Sequence, residues 1–233
     1  MFYSYADFEK RFRGESARVI EEQRESLRFF ADAPGPVVDL GCGRGEFLAL
    51  LAEAGLPCWG VDNNPEMVAV ARARGADVRE EPLLEHLAAL EPESLGGIFM
   101  AHVIEHLPRP QVLAFIELAA SRLRPGGTVV VETLNPQCLF AYAPFTMDLT
   151  HEWPVHPQTL RFLLEAHDLA DIEMETRQYL PQQNLQIASP ALQAAATPFE
   201  RAVAESLRNL QLIVDVAFKD FIYVMAARRP SPR

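Results

Sequence analysis

The stretch Val37-Val38-Asp39-Leu40-Gly41-Cys42-Gly43-Arg44-Gly45-Glu46 decides the fold. An apolar run carrying an acid gives way to three alternating glycines, and an amphipathic segment, Glu46 to Ala54, begins directly after them. That order reads as a buried strand turning sharply into a helix. Glycine removes side chains where a ligand approaches the backbone, and it adopts backbone angles closed to other residues. In doubly wound α/β folds, nucleotide-like ligands sit at such a turn, at the carboxyl end of the first parallel strand. Asp39 sharpens the reading, because a carboxylate at the strand end repels a pyrophosphate. It orders the turn or answers a cationic ligand instead.

Cys58-Trp59-Gly60-Val61-Asp62 reads as the next strand and ends in Asp62. The acid lies about 20 residues past the glycine turn, the spacing at which a carboxylate takes ribose hydroxyls. Asn63 and Asn64 follow, and Pro65 opens a helix through Met67, Val68, Val70 and Ala71. A lone glycine turn is a weak signal. Strand, acid, Gly-x-Gly-x-Gly, helix, strand and acid in that order is a far stronger one. The favoured ligand bears adenosine, lacks phosphates and carries positive charge, and S-adenosylmethionine fits.

At 233 residues, 49% of them apolar, the chain has material for a substantial core. Net charge is −11. Nucleic-acid binders draw much of their affinity from a basic face, and the whole-chain balance runs the other way. Cys42, Cys58 and Cys138 form no Cys-x-x-Cys pair, which suggests a reducing compartment without a disulfide framework. Met1 to Lys10 is aromatic and charged, unlike a signal peptide. No apolar run reaches about 18 residues, so no transmembrane segment and a cytoplasmic location are expected.

Residues 4–31 read as one or two helices, and Pro34-Gly35-Pro36 breaks them before strand one. Strands and helices then alternate, which argues for a parallel sheet. Ala76 to Arg79, Gly97 to Val103, Gly127 to Leu134 and Ile172 to Tyr179 read as strands three to six. Leu83 to Leu90, Pro110 to Leu123 and Pro157 to His167 read as helices. A helix from Phe199 to about Val214 and a last strand from Phe221 to Ala227 complete the pattern.

These residues resemble the class I S-adenosylmethionine-dependent methyltransferases over roughly residues 34–180. Asp39-Leu40-Gly41-Cys42-Gly43-Arg44-Gly45 is similar to the first family motif, and Gly60-Val61-Asp62 to the second. His102-Val103-Ile104-Glu105-His106-Leu107 resembles the fourth, and Leu123-Arg124-Pro125-Gly126-Gly127 the turn into strand five. Phe12-Arg13-Gly14 and Asp148-Leu149-Thr150-His151 are similar to a narrower group of small bacterial methyltransferases associated with cell-surface polysaccharide synthesis. The resemblance implies a Rossmann-like, doubly wound, seven-stranded and mostly parallel sheet with an antiparallel last strand. It also implies an N-terminal helical lid and a helical insertion before that strand. The expected organisation is a single methyltransferase domain. Residues 1–33 supply N-terminal helices, 34–180 the cofactor core, 181–216 the insertion, and 217–233 the last strand and tail.

The cofactor candidates are Asp39, Gly41, Cys42, Gly43, Asp62 and Asn63 at the first two strand ends, with Ala101 and His102 after strand four. The family often places an acid after strand three to receive adenine. Here Arg79-Glu80-Glu81-Pro82-Leu83 puts a proline at that position, so Glu81 or the Leu83 backbone is expected to substitute. The cofactor carboxylate wants a cation, for which Arg13, Arg24 and Arg44 are candidates, although each also reads as a solvated surface charge. The long segment Asn135 to His156 reads as the acceptor loop. Histidine suits base work near neutral pH. His151 is the expected base, with Asp148 orienting it and His102 nearby, while loop packing and capping is the bland alternative. His102-x-x-Glu105-His106 also spells a zinc-peptidase motif, but Pro108 follows too soon for the helix that motif needs. No metal is therefore expected. The expected reaction is methyl transfer, by O-methylation, to a small-molecule or glycan-type acceptor, and a homodimer through the insertion is the expected assembly. A partner module that binds cofactor without turnover and an NAD-dependent oxidoreductase are the readings from other classes. Asp39 and the missing Gly-x-x-Gly disfavour the latter.

Overall fold

The computed structural model describes residues 4–12, 14–177, 197–217 and 220–232. Arg13 and most of the expected insertion, 181–196, lie outside them. The strand ahead of the glycine turn is β1 (Val37–Leu40), buried along its whole length. It pairs in parallel with β2 (Cys58–Asp62) on one side and β4 (Leu95–Ala101) on the other. β3 (Val78–Glu80), β5 (Leu123–Leu134), β6 (Ala170–Arg177) and β7 (Ile222–Arg228) complete a seven-stranded sheet of order β3-β2-β1-β4-β5-β7-β6. β7 runs antiparallel to both neighbours. The chain winds outward from β1 to β3, then returns to β4 on the other side. This reversal opens a crevice at the carboxyl ends of β1 and β4.

Successive strand residues point to opposite faces, and the core divides accordingly. Val38, Leu40, Ile98 and Met100 join Phe115 and Ile116 of α6 (Arg109–Arg122) and Leu160 of α8 (Pro157–Ala166). Val37 and Phe99 join Phe30 with Phe47 and Leu51 of α3 (Glu46–Glu53). The Phe47 and Phe99 rings stack with centroids 3.7 Å apart, and Phe30 meets both at an edge. α4 (Pro65–Ala73) lies beside α3, and α5 (Leu83–Ala89) beside α6. The N-terminal segment forms α1 (Tyr5–Phe12), α2 (Ser16–Arg24) and a 3-10 turn, Glu25–Phe30.

The element limits depart from expectation at three informative places. β4 stops at Ala101, because His102 adopts φ +56 and turns the chain out of the strand. β5 starts at Leu123, which pairs with Leu95, and the Pro-Gly-Gly turn then loops out before Thr128 pairs with Gly97. The acceptor loop carries its own structure, a 3-10 turn at Leu139–Ala141 and the short α7 (Tyr142–Met147). The helix before β7 is α9 (Pro198–Ala217).

Candidate functional site

The glycine turn needs glycine for two separate reasons. Gly41, Gly43 and Gly45 all have left-handed φ, at +71, +52 and +80. A Cβ on Gly41 would also sit 2.3 Å from a Val103 methyl carbon. The Gly41 and Cys42 amides donate to the Val61 carbonyl at 2.7 and 3.1 Å, which seats the turn on β2. Asp62 holds the next layer. Its carboxylate accepts from the Gly43 amide at 2.9 Å and the Asn64 amide at 2.8 Å. Asn64 in turn caps α4, accepting from the Glu66 amide at 2.9 Å. A carboxylate offers about four acceptor positions, so Asp62 can hold both amides and still accept ligand hydroxyls.

These groups line a cavity of about 600 Å³ at the crevice, with Gly41, Gly43, Asp62, Asn63, Leu83 and His102 on its wall. Glu81 also lines it, but its carboxylate meets His86 Nδ1 at 2.7 Å. His86 Nε2 accepts from the Trp59 indole at 3.0 Å, so Nδ1 carries the proton that Glu81 takes. Asp39, Cys42 and Ala101 are buried behind the wall rather than in it. Burial pushes the Cys42 thiol well up, and the charges of Asp39 and Asp62 push it further, so it stays protonated.

Arg24 points elsewhere, pairing with Glu21 at 3.4 Å and Glu53 at 3.7 Å. Arg44 pairs with the buried Glu46 at 2.7 Å and donates to the Gly14 carbonyl at 3.2 Å. Neither arginine lines the cavity. His102, a cofactor candidate from the sequence, does line it. His102 Nδ1 lies 3.4 Å from Glu105, and Nε2 lies 3.5 Å from Glu132. Neither Glu105 oxygen has a partner in hydrogen-bonding geometry, so that contact is an ion pair. Burial alone would lower the His102 pKa, but the two carboxylates prevail and raise it to about 9. Burial would likewise raise Glu105, yet His102 holds it down at about 2. The two carboxylates thus favour the imidazolium form of His102 near neutral pH. Its left-handed backbone is an outlier of the kind that costs about 1–3 kcal/mol and clusters at functional sites.

A second cavity, of about 210 Å³, adjoins the first, and His102 and His106 line both. Phe8 and Phe12 of α1, Val19 of α2, Met147 of α7 and Ile222 of β7 give it apolar walls. His106, Asp148 and His151 give it a polar end. The acceptor loop is pinned over the turn after β4: the Glu152 amide donates to the Glu105 carbonyl at 2.9 Å. Thr150 donates its hydroxyl to Asp148 at 2.6 Å, and His106 Nδ1 meets that same hydroxyl at 2.9 Å. His151 Nδ1 lies 2.8 Å from the Phe145 carbonyl, which can only accept. The Phe145 carbonyl thus holds the His151 ring at Nδ1. Ile104–His106 is a single 3-10 turn, so His102 and His106 share no helix face and the zinc-peptidase geometry does not form.

The acids that hold His102 were missed. Glu132 sits inside the apolar run of β5, and a buried acid in a central strand was the available signal. The lining by α1 left no signal beyond an amphipathic pattern.

This fold, crevice and cavity define a class. The donor set fits an adenosine-bearing cation: an acid ends β2, glycine lets the backbone approach, and no Lys or Arg among the described residues lines the cavity to meet a pyrophosphate. A family model described as a methyltransferase domain matches residues 11–179, and the chain belongs to that family. Its architecture is that of the class I S-adenosylmethionine-dependent methyltransferases, and S-adenosylmethionine is the cofactor. A SAM-dependent methyltransferase from Archaeoglobus fulgidus is similar over 97% of this chain and 100% of its own, at 29% identity and TM-score 0.85. Phosphoethanolamine N-methyltransferase 2 of Haemonchus contortus shares the fold at TM-score 0.62 and 16% identity, over 98% of this chain and 60% of its own. A ubiquinone biosynthesis O-methyltransferase of Xanthomonas campestris is 38% identical over 105 residues, 42% of this chain and 43% of that protein. The chain thus spans less than half the length of the curated relatives it matches.

Proposed function

We propose that this chain transfers the methyl group of S-adenosylmethionine to a hydroxyl oxygen of a small-molecule or glycan-type acceptor. One observation carries the reading: a cofactor-sized cavity and an apolar-walled cavity adjoin, and the same two histidines, His102 and His106, line both. In the transfer an oxygen lone pair bonds to the methyl carbon. The sulfur–carbon bond breaks with its electrons left on sulfur, so the leaving group departs neutral and needs no acid. The protein's work is alignment and exclusion of water, which alone contributes several kcal/mol.

In this reading the Asp62 carboxylate takes the ribose hydroxyls, and Gly41 and Gly43 lie under the ribose and methionine. Glu81 and the Leu83 backbone border the adenine. His102 flanks the methionine moiety, its ring held between Glu105 and Glu132. His151 meets the acceptor hydroxyl from the opposite wall. The O-methyltransferase names of the curated relatives support oxygen as the acceptor atom. The Asp148-Leu149-Thr150-His151 resemblance supports a glycan and a role in cell-surface polysaccharide synthesis. No helix among the described residues is long and apolar enough to cross a membrane, and we take the site of action to be the cytoplasm. We read the chain as one methyltransferase domain, dimerising through α9, whose Phe199, Leu212 and Ile213 are exposed. The test is uptake of labelled methyl from S-adenosylmethionine into panels of hydroxylated glycans and quinol-like small molecules. Label recovered as an acid- and base-stable ether supports the reading. Cofactor binding with no uptake across the panels would support a partner module instead.

A further inference from the structure

We infer that His106, Asp148 and His151 bind a divalent transition-metal ion at the polar end of the second cavity. Each residue offers one donor atom, and these atoms all lie within 4.8 Å of one another. They come from separate segments: His106 ends the turn after β4, while Asp148 and His151 belong to the pinned loop after β5. A bound ion needs a modest inward movement to reach contacts of about 2.0–2.2 Å.

The protons are already arranged for ligation. His151 Nδ1 faces a carbonyl, which can only accept, so Nδ1 carries the proton and Nε2 the lone pair. The Thr150 hydroxyl spends its proton on Asp148, so it can only accept from His106 Nδ1. Thr150 thereby ties His106 and Asp148 together at the polar end of the cavity. Partners of this kind behind a ligand fix ring orientation and raise basicity. The two rings lie 4.4 Å apart at their centroids, with the carboxylate beside them.

Two imidazoles and one carboxylate suit zinc, manganese, iron or cobalt rather than magnesium or calcium. Three protein ligands leave open positions, and all three residues line the cavity assigned to the acceptor. The ion's role rests on the proposed transfer. An acceptor hydroxyl occupying an open position would have its pKa lowered. Its proton leaves to solvent, and the oxygen keeps the electron pair that bonds to the methyl carbon. No oxidation state changes. His151 then engages the acceptor through the ion.

The test uses the full chain, stripped with a chelator and titrated with Co(II) without cofactor or acceptor. One Co(II) per chain is expected, with the visible bands of a low-coordinate nitrogen–oxygen site. His106→Gln and His151→Gln should each weaken binding by more than about 100-fold. Thr150→Val, which removes the hydroxyl that supports both His106 and Asp148, should weaken it by about 10–100-fold. Affinity for S-adenosylhomocysteine and the melting temperature report whether each variant folds. Mn(II) added to the unsubstituted chain should broaden the imidazole signals of His106 and His151 before those of His156 or His167, which needs no variant. Absence of single-site Co(II) binding, unchanged binding in the folded variants, or broadening led by other histidines overturns the inference. Because binding is read without turnover, ion binding with no methyl uptake would instead count against the proposed function alone.

Discussion

At the residue scale the site rests on carboxylates with more than one task. Asp62 ties the glycine turn to α4 while facing the cavity. Asp62→Ala is expected to weaken S-adenosylhomocysteine binding by about 10- to 100-fold, since hydrogen bonds to a charged acceptor contribute about 1.5–3 kcal/mol. Equal affinity in a folded variant would remove Asp62 from the site. His151→Ala is expected to lower turnover by about 100-fold or more at nearly constant cofactor affinity. Normal turnover would leave the ring as a cap on the Phe145 carbonyl, and a change confined to KM would make it a binding residue. Asp62 and the glycines were legible in the sequence because local spacing dictates them. The His102 clamp was not. It needs residues 102, 105 and 132 to meet across two strand ends, and no periodicity encodes that meeting.

At the element scale, Arg177 fastens the antiparallel edge to the N-terminal segment. From β6 it donates to Glu132 of β5 at 2.8 Å, to the Ser26 hydroxyl at 3.0 Å and to the Glu22 carbonyl at 3.2 Å, and it also pairs with Glu175. Glu132 is 2% exposed, so removing Arg177 takes away the nearer of the two cations that compensate its buried charge. Arg177→Ala is expected to destabilise the fold by about 3–5 kcal/mol. Adding Glu132→Gln should recover part of that loss, as denaturant midpoints can show. A loss in the single variant no larger than an exposed pair's would mean the pair is not isolated from water. Most strands and helices were legible from alternating apolar runs and Pro or Gly breaks. α7 was not: Tyr142 to Met147 carries no apolar stripe, and none of its residues is buried. It forms because the loop is held at both ends, by Cys138 bonding to the Asn135 carbonyl and by His151 bonding to Phe145.

At the scale of the whole molecule, one reversal of strand order organises everything. It opens the crevice beyond β1 and β4, and the glycine turn, Asp62 and His102 all lie at its rim. The seven-stranded sheet with its antiparallel last strand was expected from the family resemblance, since strand pairing between distant segments leaves no mark in a single sequence. The ligand class was legible in the residues themselves, from an acid where a pyrophosphate would sit. The measurement that tests this most directly is a calorimetric titration of the full chain with S-adenosylhomocysteine and, separately, with NAD. One S-adenosylhomocysteine per chain and no heat from NAD is the expected result. NAD binding without binding of the adenosyl compound would contradict the account.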